Sequence, residues 1–234
     1  MSSLSGWNER AEQAAYNAYD EISDRAYNLV MGGVVLYGLG LNFLMCLFLG
    51  DVISAINPIA FLIAYFVCCI AGITISRKSD NPLVSFLGYN LVVLPIGLVV
   101  SSCVEGYGGV SSAIVGEAFY YTMLITAIMV LAGCLFPTFF DRIGGVLFAC
   151  LLGIVLCSLL SFFFPIGGNG LSLFAAAIFA LYIGYDYHRA QQFPRTVDNA
   201  VDCALDIYLD IINLFLRILE ILGRSSGSGK RGRN

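Results

Sequence analysis

Charge is scarce in this chain: Asp, Glu, Lys and Arg together make up 12% of its 234 residues, while 59% are hydrophobic. With a mean hydropathy of +0.83, that scarcity excludes an ordinary soluble domain and indicates an integral membrane protein. Short alternating strands are missing, which excludes a transmembrane barrel. The opening residues lack the basic run of a cleavable leader. Residues 1–28 are instead polar and acidic, with Glu9, Glu12, Asp20, Glu21 and Asp24, so the first apolar stretch is expected to be a retained anchor. The eight cysteines show no CxxC spacing and no histidine-rich context. They read as small buried hydrophobes rather than disulfide partners or metal ligands. No nucleotide- or nucleic-acid-binding motif stands out, and no cofactor is expected.

What remains is a succession of apolar runs. About 20 residues are needed to cross a bilayer as a helix, and seven candidates fall at 29–49, 57–76, 83–104, 117–136, 144–164, 169–187 and 200–222. The expected fold is therefore an all-α, seven-helix membrane bundle over 29–223, between a polar segment (1–28) and a flexible basic tail (224–234). Gly32, Gly33, Gly38 and Gly40 in the first run, and Gly144, Gly145 and Gly153 in the fifth, would let helices approach closely. Pro95 should kink the third. The short PIGGNG joint makes the fifth and sixth helices expected antiparallel neighbours.

Lys and Arg set the orientation. Arg10, Arg25, Arg77, Lys78, Arg142, Arg189 and Arg195 fall on one side of the expected crossings, whereas the alternate loops carry none. An N-terminus in the cytoplasm satisfies this pattern. The tail, with Arg224, Lys230, Arg231 and Arg233, conflicts with it: either the seventh segment re-enters without crossing, or packing overrules the tail charges. A crossing is the expectation. Glu105 and Glu117, on the outer side, are expected to be solvated at the interface.

The acids that matter most are Asp186, at the end of the sixth run, and Asp202, Asp206 and Asp210 in the seventh. A carboxylate at membrane depth is costly unless paired, protonated or wetted. At 100° per residue, Asp206, Asp210, Asn213 and Arg217 fall within about 60° of one another. They form one polar stripe and a possible pore lining, so the seventh helix should lie against the others with that stripe inward. Antiparallel packing of the last two helices favours Asp202 or Asp206 as the partner of Asp186. Two carboxylates within about 4 Å share a proton rather than both ionising, and once deprotonated they attract a hard cation such as calcium, weakly for want of further oxygen ligands. Arg77 is the first candidate to lock Asp186. His188 reads as a solvated loop histidine.

The motif YDYH at 185–188 and the run ALDIYLDIINLFLRILEILG at 204–223 closely resemble the end of the Bax inhibitor-1, or transmembrane Bax inhibitor motif, family. The resemblance covers about residues 25–224. It implies a seven-helix fold with a central last helix, and calcium conduction down its gradient in a pH-sensitive way. It also implies pairing of Asp186 with Asp210 as the gating and calcium-contacting dyad, with Arg77 as the arginine that engages it. A bacterial member would sit in the cell inner membrane, in contact with lipid. Bacterial members are also thought to modulate a membrane-bound quality-control protease, so regulation of such a partner is the alternative. The chain departs from the family at Tyr187, where many members have Thr, and in having no acid between Asn57 and Ser76. An intramembrane aspartyl protease is a remote alternative, because Asp210 lies in YLDI rather than in a GxGD context. No enzymatic role is expected.

Overall fold

The computed structural model describes residues 21–50, 57–160 and 168–231. Seven α-helices are found there: α1 Asp24–Phe48, α2 Pro58–Lys78, α3 Pro82–Gly106, α4 Ala113–Leu135, α5 Pro137–Leu160, α6 Asn169–Ala190 and α7 Val197–Arg231. The first six are long and apolar enough to cross a membrane. Each matches an expected run to within several residues, and α7 is the more polar helix.

Local chemistry sets the starts. Ser23 accepts a hydrogen bond from the Ala26 amide and caps α1, so the helix takes up residues 24–28, which the sequence reading gave to the polar segment. α2 and α3 share one device: Asn57 and Asn81 cap the free amides, and Pro58 and Pro82 occupy the first turn, where a missing N–H costs nothing. Pro137 likewise opens α5 directly after Phe136. Arg142 therefore lies inside α5 rather than in a joint, and is exposed. Pro95 sits within α3 without ending it.

α7 is the axis of the bundle and packs against α1, α3, α4 and α6. Ala204, Leu205, Tyr208, Leu214 and Leu219 on it are almost completely buried. The periphery is made by α2, which packs mainly on α3, and by α5, which packs mainly on α6 as expected. The outward faces of these two helices carry exposed Leu, Ile, Val and Phe side chains, the arrangement that lipid rather than water favours.

Helix approach depends on glycines other than most of those singled out from the sequence. A Cβ on Gly72 would lie 2.6 Å from the Gly88 carbonyl oxygen, and one on Gly133 would lie 2.6 Å from that of Gly184. Gly38 and Gly144 do admit close neighbours, the Tyr89 and Tyr185 rings, but Gly32, Gly33, Gly40, Gly145 and Gly153 face open space. At α7 the helix runs on to Arg231, through residues expected to form a flexible tail. Glu220 sustains this extension by pairing with both Arg217 and Arg224, at the three- and four-residue spacings that bring helical side chains together.

Candidate functional site

The cytoplasmic half of α7, on the orientation expected from the basic residues, presents a carboxylate every four residues. Asp198, Asp202, Asp206 and Asp210 each meet a different partner. Asp198 is buried and accepts from Ser85 Oγ at 2.5 Å. Asp202 accepts from Ser76 Oγ, and Asp206 is ion-paired with Arg77 at 2.5 Å. Asp210, also buried, stands within hydrogen-bonding reach of the Asp186 carboxyl group. Four-residue steps advance by about 40° around a helix, so the series turns from α3 past α2 to α6.

The Asp186 carboxyl group is thus near both Asp206 and Asp210 of α7. The offset of the last two helices places it there. Tyr27 of α1 donates to the Ala190 carbonyl, the end of α6, and also contacts Cys203 Sγ. Residue 190 is thereby level with 203. Counting back four residues along α6 and forward four along antiparallel α7 brings Asp186 level with residue 207, beside Asp206 and about one turn short of Asp210. The connection that creates this offset is strapped to α1: Arg195 is ion-paired with Asp24 at 3.0 Å, its guanidinium lies over the Tyr27 ring, and the Ile22 amide donates to the Arg195 carbonyl at 2.8 Å.

One oxygen in the pair is distinctive. Asp210 Oδ2 is buried and has no hydrogen-bond donor among the described residues. Two ionised carboxylates could not satisfy each other, because both are acceptors only. A proton between them removes the deficit.

The other expected residues separate. Arg77 engages Asp206, one turn before Asp210, rather than Asp186 itself. Asn213 donates to the Leu209 carbonyl of its own helix at 2.8 Å, and Arg217 pairs with Glu220. His188 is not in a loop: it belongs to the last turn of α6, and its Nε2 lies 2.8 Å from Asp141 Oδ1 of α5. Glu105 and Glu117 are exposed, in keeping with interfacial solvation. Ser76, Ser85 and Asp198 went unnoticed in the sequence, although Asp198 extends the four-residue acid spacing by one step. Asn42 was missed as well; it is buried in α1 and donates to Tyr208 Oη at 2.6 Å.

Among the described residues, no group of three or more His, Cys, Asp or Glu side chains gathers as a metal site. The fold and this acidic series define a polytopic helical membrane protein built around a polar last helix. The profile of the family described as "Inhibitor of apoptosis-promoting Bax1" matches residues 21–227, and the chain belongs to this Bax inhibitor-1 family. That description is of a regulatory protein rather than an enzyme. The chain is 30% identical over 149 residues to an uncharacterized protein of Helicobacter pylori, covering 62% of this chain and 60% of that protein. An uncharacterized protein of Campylobacter jejuni is 33% identical over 153 residues, 62% and 63% of the two chains. The BI1-like protein of Arabidopsis thaliana is 32% identical over 145 residues, 57% and 55% of the two. The chain thus matches about 60% of the length of its bacterial relatives.

Proposed function

We propose that this protein is a pH-sensitive calcium leak pathway of the bacterial inner membrane, with the N-terminus in the cytoplasm and Asp186 and Asp210 as its gate. The observation that carries the reading is the buried Asp186–Asp210 contact with Asp210 Oδ2 otherwise unpartnered. A shared proton holds α6 to α7 and closes the path. Its loss leaves two like charges in contact, which drives the helices apart and exposes oxygen ligands to a hard cation. Calcium is the cargo here. With only two carboxylates, coordination is weak, which suits transit better than storage. Arg77 steadies the closed state from one turn away, by tying α2 to Asp206.

The test is calcium entry into proteoliposomes containing the native chain, compared with protein-free vesicles. Flux that varies with pH supports the leak. Flux no greater than in empty vesicles removes it.

A second reading, a membrane regulator that binds a quality-control protease or another partner, is favoured by the family's description as an inhibitor. It predicts capture of a specific membrane protein in mild detergent that disappears when residues 1–20 or the basic C-terminal end are removed.

A further inference from the structure

The last turn of α6 is gripped from outside its own helix. A helix C-terminus leaves carbonyl oxygens without intrahelical partners. Here the Tyr187, His188 and Arg189 carbonyls accept from the amides of Gln191 and Gln192. The Ala190 carbonyl accepts instead from the Tyr27 hydroxyl at 3.0 Å and from Arg195 Nη1 at 3.3 Å. Tyr27 is fully buried, and the same hydroxyl lies 3.4 Å from Cys203 Sγ of α7. One oxygen on α1 thus joins α6 to α7, a single turn from Asp186.

Arg195, in the joint between the two helices, completes the grip. Its Nε stands 3.0 Å from Asp24 Oδ1, and its guanidinium carbon lies 5.0 Å from the centre of the Tyr27 ring. Its carbonyl accepts from the Ile22 amide, and next to it in the joint Gln191 Nε2 donates to Asn28 Oδ1 at 2.9 Å. The ties to α5 are of another kind. His188 and Gln192 both reach Asp141, but α5 packs mainly on α6 and can travel with it. α1 is held by α3 and α7. Parting α6 from α7 at their joined end therefore strains the contacts of Tyr27 and Arg195 and spares those of Asp141.

We infer that Tyr27 and Arg195 are positioning residues of the gate: they hold the last turn of α6 against α7 and so keep Asp186 and Asp210 in contact. This rests on the proton-sharing pair proposed above. Contact and shared proton favour each other, so a weaker grip lets the pair part and lose its proton at lower pH. The titratable groups facing the pair are Asp206 of α7, Arg77 of α2, and Arg189 and Tyr182 of α6. Variants that leave every charge in place separate the mechanical effect from theirs. Tyr27→Phe removes the hydroxyl and keeps a ring beneath the guanidinium. Arg195→Lys, the milder change, keeps the charge and loses the planar fork.

The experiment is an infrared titration of the full chain in phosphatidylcholine nanodiscs. It follows the carbonyl stretch of protonated carboxyl groups that disappears in the Asp186→Asn, Asp210→Asn double variant. In the native chain this band should fade as pH rises. In Tyr27→Phe and in Arg195→Lys the midpoint should fall by about half to one pH unit, the scale of one hydrogen bond. A melting curve read beside the titration tests a merely structural role. A lowered melting temperature with an unmoved titration midpoint in both variants would overturn the inference. A native chain with no titrating band would instead overturn the proton-sharing pair itself. Neither readout involves calcium, so failure of the leak leaves this test intact.

Discussion

Arg77, at the end of α2, holds Asp206 of the central helix at 2.5 Å, one helical turn short of Asp210. α2 packs mainly on α3, so this pair and the Ser76–Asp202 hydrogen bond tie its C-terminal end to the axis of the bundle. The Arg77 side chain is half exposed, so its worth lies in positioning α2 rather than in bulk stability.

Replacing Arg77 with Gln should loosen that tie and raise calcium flux severalfold at the pH where the native protein is closed, with little change in thermal stability. Proteoliposome flux read beside a melting curve in detergent checks both parts. Unchanged flux would remove Arg77 from the gate.

The contact between α4 and α6 makes a stability prediction. Gly133→Ala places a Cβ 2.6 Å from the Gly184 carbonyl oxygen. Neither backbone can yield without moving its helix, and overpacking of this kind costs about 1–3 kcal/mol. Gly145→Ala meets open space and should be neutral or stabilising by up to about 1 kcal/mol, through helix propensity. Thermal unfolding of the two variants should show a lowered midpoint for the first only.

Ser85→Ala should also destabilise. The hydroxyl is fully buried and donates to Asp198 at 2.5 Å. Removing it leaves a buried carboxylate short of a partner, at a cost of roughly 1–3 kcal/mol. Removing the acid as well, in Ser85→Ala with Asp198→Ala, should recover part of that loss. A double variant no more stable than the single would show that Asp198 does not need the hydroxyl.

The first six helices were legible because burial in lipid imposes long apolar runs, and the inward stripe of α7 because a polar row is intolerable on a lipid face. The partner of Asp186 was not legible from periodicity. It depends on where α7 begins relative to the end of α6, an offset fixed by Tyr27 of the distant α1 and by Arg195 in the joint between α6 and α7; only the family resemblance pointed to Asp210. Ser76, Ser85 and Asn42 were hidden for a different reason. A single small polar residue in an apolar run looks the same whether it faces a partner or a neighbouring turn. The glycines at 72, 88, 133 and 184 were equally anonymous, since composition marks a small residue but not what approaches it. His188 was misread because α6 continues through YDYH to Ala190, which brings the ring to Asp141.

The most direct test of the account is calcium flux into proteoliposomes between about pH 6 and 8 for the native chain, Asp186→Asn and Asp210→Asn. Asparagine keeps the shape of the side chain but cannot share or lose the proton. The account predicts that native flux changes severalfold across this range and that both variants lose the pH response. A variant whose flux follows the native pH profile would contradict the assignment of the Asp186–Asp210 pair as the gate.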